Sequence, residues 1–277
     1  MGACFGTILR IAKKNKHSKV VCIVDNMIPH EKRMADKMLT KYFIKPVDSF
    51  IAMSEKVMND VKHFNPTKPV VLHPHPLFDN FGNIISKEEA RKELSIANTE
   101  KILLFFGFIR KYKGLDMLLD AMKIVIENNK PQTAGVKLVI AGEFYEDRKS
   151  FDEQIERLAI NDHLLLHTDF ITDSKVKYYL CAADVVVQPY RNATQSGVTP
   201  LAYHFEKPMI VTNVGGLPDM VPNDRVGLVA EPNAASIASA IEDYFNKTEA
   251  HFLPALREEK KKYSWTKLAE AVLELGS

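Results

Sequence analysis

Cysteine is scarce in this chain: Cys4, Cys22 and Cys181 are three in number and widely separated. That spacing excludes a disulfide framework and offers no Cys-based metal site, so buried thiols in a reducing compartment are expected. No apolar run reaches the ~18–20 residues that a membrane-spanning helix needs. No apolar signal-peptide core precedes a cleavage site either, and a cytoplasmic protein is the expectation. Charge of one sign is also lacking. Lys and Arg number 37 against 35 Asp and Glu, a net +2, which argues against a dedicated nucleic-acid binder. No internal repeat or low-complexity tract occurs. No Gly-x-Gly-x-x-Gly follows an expected strand, which sets aside an NAD-dependent Rossmann oxidoreductase.

What is present is a regular alternation of elements. The 277 residues, 46% hydrophobic and 26% charged, suffice for one large or two ordinary globular domains. Strands are expected at 102–107, 136–141, 164–167, 184–188, 209–213 and 227–230, with helices at 115–127, 151–159, 174–182 and 198–205. These strands are continuous Val, Ile and Leu runs, the pattern of strands buried on both faces. Helical stretches between them imply a parallel, doubly wound α/β sheet. Residues 98–248 then make a complete Rossmann-like domain.

Residues 1–80 hold less: strands at 20–24, 49–53 and 70–72 and helices at 32–42 and 54–64. That is about half of an α/β domain, followed by a linker at 81–97. C-terminal helices occupy 249–277, the last of them started by a Ser264 cap. With so few strands, the apolar faces of 20–24 and 49–53 are expected to lack cover, so that the chain either dimerises through this segment or leaves it mobile. Arg10, Lys13, Lys14, Lys16, His17 and Lys19 crowd one stretch. Segment 10–19 is either a solvated helix face or a peripheral contact with anionic lipid head groups at the inner face of a membrane.

Two loops carry the chemistry. Residues 107–114, GFIRKYKG, leave a strand and enter a helix. Arg110 and Lys113 beside a helix N-terminus suit a pyrophosphate, and Gly107 allows close approach. The second loop, Thr194, Gln195, Ser196 and Gly197, runs into a helix that begins at Val198. Its backbone N–H groups converge on one spot and suit a phosphate. Each loop alone also fits a solvated basic turn or a small-residue packing turn. Together they sit at the carboxyl ends of strands, where open α/β sheets bind ligands. A Gly-Gly-Leu-Pro-Asp turn follows at 215–219.

The order and spacing of these motifs resemble the donor-binding half of family-4 (group 1) glycosyltransferases of the GT-B architecture. The loop ATQSGV, with FGFIRKYKGLD and AGEFYED, is similar to a bacterial branch of that family. The resemblance implies a GT-B-like fold, one complete Rossmann-like domain plus a partial N-terminal, acceptor-side one, as in an N-terminally truncated enzyme. It implies a retaining transfer of sugar from a nucleotide-sugar to a sugar or lipid-linked acceptor in polysaccharide or glycolipid assembly. No resident metal or cofactor is implied, and no Asp-x-Asp motif occurs. A nucleotide-sugar-binding remnant without transfer is the alternative.

The match has departures. Lys113 and Gly114 fit the family's Gly-Arg-x(4)-Lys-Gly form, but Phe108 stands at the Arg position, and Arg110 is the candidate replacement. Ala193 and Leu201 occupy the two positions of the usual Glu-x(7)-Glu, so ribose recognition has no assigned residue. By resemblance His30 lies close to the donor sugar, and Asp25 is a second catalytic candidate. Ser54 is a third, with helix capping as its other reading. His73 and His75 lack a partner set suited to zinc, and a linker role is expected.

Overall fold

The computed structural model describes residues 2–27, 36–193 and 196–277. It divides into two compact units, one of residues 1–76 and 262–277, the other of residues 77–261.

In the first unit, α1 (Gly2–Ala12) precedes β1 (Val21–Val24), α2 (Asp36–Ile44), β2 (Ser49–Ala52), α3 (Glu55–Phe64) and β3 (Val70–Leu72). The three strands are parallel, in the order β1-β2-β3. In register, Val24 pairs with Ala52 and Ala52 with Leu72. Ser54 is the N-cap of α3, its hydroxyl accepting from the Val57 amide at 3.3 Å, which is the capping role. The expected helix at 32–42 is described only from Asp36. A small core of Phe50, Ala52, Val57 and Val61 fills the unit.

The expected bareness of the sheet needs correction. All of β2 is buried, because α3 and the last helix, described below, pack beside it. Exposure falls instead on the edge strands, at Ile23 and Leu72, and on α1. There Phe5, Ile8 and Ile11 are 52%, 52% and 59% exposed.

The second unit runs through α4 (Lys87–Glu93), β4 (Lys101–Phe106), α5 (Leu115–Asn128), β5 (Val136–Ala141), α6 (Lys149–Leu158), β6 (Leu164–His167), α7 (Asp173–Ala182) and β7 (Val185–Gln188). It continues with α8 (Val198–His204), β8 (Met209–Thr212), α9 (Leu217–Met220), β9 (Gly227–Ala230), α10 (Ala234–Lys247) and α11 (Glu249–Lys260). Among the described residues its sheet has six strands, ordered β6-β5-β4-β7-β8-β9, and every pairing is parallel. This is the doubly wound order in which the chain builds outward one way, returns to the centre and builds the other way. Strands β7 and β8 are buried along their whole length, as continuous apolar runs require. Leu103, Leu118, Met122, Leu138 and Ile241 belong to one core between sheet and helices.

Two boundaries differ from the sequence expectation. Residues 81–97 were expected to be a linker, yet they carry α4, which packs on α7. Arg91 of α4 is buried and donates to the carbonyls of Ala182 and Asn98 and to Asp184. Of the C-terminal helices, α11 stays with the second unit, burying Phe252 and Leu256. Only α12 (Trp265–Gly276) belongs to the first unit, and the Ser264 hydroxyl caps it through the Lys267 amide at 3.4 Å.

Among the described residues no helix is long and apolar enough to cross a membrane.

Candidate functional site

The second sheet reverses its direction of growth between β4 and β7. Such a reversal leaves a crevice outside the carboxyl ends of the two strands. Both loops singled out from sequence leave the sheet there. Local geometry holds them close. Gly114 has φ +67° and a Cβ on it would stand 2.0 Å from the Pro189 carbonyl oxygen, so the loop after β4 lies directly on the loop after β7. Only glycine fits that approach. Gly142, with φ +144°, does the same beside β5, where a Cβ would meet the Gly107 carbonyl oxygen at 2.3 Å.

A tight turn over Lys111–Lys113 folds Lys113 back toward the sheet. Its Nζ lies 5.7 Å from the Tyr190 ring centroid and would be 3.2 Å from a Cβ on Gly107. The result is a cavity of about 300 Å³ bounded by Gly107, Lys113, Tyr190, Ser196, Gly197 and Val198. Phe78, Phe81, Phe106, Phe108, Tyr112 and Leu201 complete its wall.

Lys113 dominates the electrostatics. It is only 9% exposed. Burial, and then the nearby Arg110 charge, push its ammonium down to about 8. Among the described residues it forms no ion pair with a carboxylate. A buried cation left without a counter-charge is costly, and an incoming anion relieves that cost. Arg110 is placed differently. Its guanidinium is exposed and stacks 4.2 Å over the Tyr145 ring, so it contributes field rather than wall.

Ser196 is committed. Its hydroxyl accepts from the Val198 amide at 3.1 Å and is 3.1 Å from the Tyr190 hydroxyl. The Val198 N–H, expected to be free for a phosphate, is therefore already bonded. Burial pushes the Tyr190 phenol well up, so it stays neutral. Behind them the Thr199 hydroxyl donates to the Gln188 side-chain oxygen at 3.1 Å, tying the start of α8 to β7. Ser196→Ala should cost roughly 1 kcal/mol of stability, one net hydrogen bond, measurable by denaturant unfolding.

Asp25 is exposed, just after β1 in the first unit. His30, Thr194 and Gln195 lie outside the described residues. His73 and His75 each place Nδ1 on the carbonyl of the following proline, at 2.8 and 2.6 Å. Among the described residues no group of His, Cys, Asp and Glu could hold a metal ion.

Sequence reasoning missed the aromatic wall. Phe78 and Phe81 precede α4 in a stretch assigned to the first domain's end and the linker, yet they belong to the second unit. Tyr190, two residues after β7, carried its own signal as a bulky residue beside a small-residue loop. A second cavity of about 180 Å³ adjoins the first. Phe81, Phe106, Phe108 and Phe170 wall it, with Glu143 and Asp173 as its acidic members.

Known proteins share this architecture. The D-inositol 3-phosphate glycosyltransferase of Streptomyces scabiei is 24% identical over 241 residues, covering 84% of this chain and 54% of that protein. The putative teichuronic acid biosynthesis glycosyltransferase TuaC of Bacillus subtilis is 26% identical over 220 residues, covering 79% of this chain and 52% of that one. The chain thus spans about half the length of these curated relatives. The crystal structure of Anabaena Alr3699/HepE in complex with UDP superposes with a TM-score of 0.79 at 15% identity, covering 99% of this chain and 76% of that one. The sequence profile of the family Glycosyl transferases group 1 matches residues 86–264, and the chain belongs to that family.

Proposed function

We propose that the second unit binds a nucleotide-sugar and that Lys113 holds its diphosphate. The observation that carries this reading is the buried, uncompensated Lys113 ammonium at the switch point of a doubly wound sheet. The UDP in the Anabaena crystal supports the choice of ligand class. The neighbouring cavity, walled by phenylalanine rings, suits the flat, apolar faces of a nucleobase. Gly107, Gly197 and Val198 shape the phosphate end, Arg110 adds positive charge nearby, and Thr194 and Gln195 remain donor-binding candidates from the sequence. The chemistry is sugar transfer with retention at the anomeric carbon. As the bond to the diphosphate breaks, positive charge at Lys113 and Arg110 stabilises the departing anion. No resident metal is needed, since Lys113 supplies the charge.

Assembly of a polysaccharide or glycolipid is the setting, in the bacterial ATQSGV branch of family 4, and the relation to TuaC supports it. The first unit serves the acceptor, with His30 and Asp25 as its catalytic candidates. Its α1 stripe of Phe5, Ile8 and Ile11, beside exposed Lys14, Lys16 and Lys19, fits peripheral contact with an anionic membrane. Dimerisation through the same stripe is the competing outcome, and sedimentation with and without anionic vesicles separates the two.

Titration calorimetry with UDP and GDP tests the donor site, and saturable binding of either is the expected result. Absence of binding by both would sink the reading. Slow hydrolysis of the nucleotide-sugar without acceptor is expected of a transferase. Binding without any turnover would leave the alternative, a donor-binding remnant.

A further inference from the structure

Lys113 acts above only as a charge, but its surroundings give it a second chemistry. We propose that the Lys113 amine is a nucleophile that forms an imine with aromatic aldehydes carrying a phosphate. The inference rests on the same cavity as the donor reading, but on its shape rather than its biological ligand. A six-membered aromatic ring fits a space of about 300 Å³ whose wall includes Phe78, Phe81, Phe106, Phe108 and Tyr190. The Nζ atom faces Gly107, which puts no side chain between it and the cavity, with the Val198 Cγ2 methyl beside the same point. It makes no ion pair with a carboxylate among the described residues, so no counter-charge holds it as ammonium. Arg110, exposed outside the cavity wall, supplies positive charge for the phosphate. The other titratable groups lining the cavity are the Tyr112 and Tyr190 phenols.

The step balances simply. The ammonium gives its proton to solvent, and the free Nζ lone pair adds to the aldehyde carbon. The resulting carbinolamine loses one water, leaving a C=N bond. Borohydride then delivers hydride to that carbon while water protonates the nitrogen, fixing a secondary amine. The first requirement is a neutral amine. With its ammonium pushed down to about 8, half of Lys113 is neutral at pH 8. A lysine at its ordinary value is under ~1% neutral there.

Pyridoxal 5′-phosphate is the probe, added in less than molar equivalence to the whole chain at pH 8. The mixture is then quenched with borohydride and mapped by peptide mass spectrometry. Lys113 should be modified about tenfold or more faster than exposed Lys14 and Lys149, given its larger neutral fraction. Lys113→Arg should abolish that fast phase and leave the other sites unchanged. Equal rates at Lys113 and Lys14 in the unmodified protein overturn the proposal, with no variant needed. Saturating UDP should protect Lys113. Fast labelling with neither UDP binding nor protection would uphold the reactive amine and remove the donor reading. Calorimetric UDP binding with labelling no faster than at Lys14 would do the reverse.

Discussion

Lys113→Met should weaken UDP binding by about tenfold to a hundredfold, the worth of one charge-assisted hydrogen bond, and at the same time stabilise the folded protein. The two effects have one cause. Desolvation makes the Lys113 ammonium expensive in the free protein, its pKa falling from 10.5 to about 8, and methionine removes that cost while keeping the volume. The difference corresponds to about 3 kcal/mol or slightly more at pH 7, as an upper bound. Titration calorimetry and denaturant unfolding read the two quantities separately. A variant that loses affinity and stability together would assign Lys113 to packing instead.

The same residue sets a pH dependence whose sign is fixed. Below pH 8 Lys113 is charged in both folded and unfolded chains, so the full cost is present. Between 8 and 10.5 the folded protein releases a proton that the unfolded chain still holds, and stability rises with pH relative to Lys113→Met. Binding runs the other way. An anion favours the ammonium, so UDP affinity should fall above pH 8 and binding there should take up about one proton. Calorimetry in two buffers of different ionisation enthalpy measures that uptake. Proton-neutral binding at pH 9 would exclude the lysine.

Asp184→Ala is expected to be more damaging to the fold, by about 3–5 kcal/mol, because it leaves a buried cation without its partner. Arg91 is 3% exposed and its guanidinium donates to the Asp184 carboxylate at 3.0 Å. The same carboxylate accepts from the Ile102 amide at 2.6 Å, at the start of β4, and from Lys87 at 2.9 Å. Burial alone would lower the Lys87 ammonium, but Asp184 and Glu249 outweigh it and raise its pKa. One side chain therefore ties α4 to the start of the central strand. Double replacement of Arg91 and Asp184 by apolar residues should recover part of the loss, and unfolding curves for single and double variants measure it. Full additivity would show that the pair does not act as a unit.

The strands were legible because their signal is local. Runs such as 136–141, 164–167 and 227–230 coincide with β5, β6 and β9, since strands of a parallel sheet covered by helices are apolar over most of their length. The helix α4 was not legible. Its sequence, KEEARKE, has no apolar stripe; it packs on α7 through buried Ala90 and Arg91, and Arg91 pairs across the fold with Asp184. Charged residues read as solvent-facing until their partners are known.

At the site, the sequence by itself determined that two polar, glycine-bearing loops leave strand ends and that cations belong to one of them. It also determined the parallel α/β class. Which cation enters the cavity was decided only by tertiary structure. Arg110 and Lys113 are three residues apart in one turn, and nothing local separates them. The left-handed Gly114 pressed against the Pro189 carbonyl turns Lys113 inward beside Tyr190, while Arg110 stacks outward on Tyr145. Tertiary contacts also committed the Ser196 hydroxyl to Val198 and Tyr190 and assigned Phe78 and Phe81 to the cavity wall. Direction, burial and hydrogen-bond occupancy are properties of neighbours distant in sequence, so composition and spacing do not carry them.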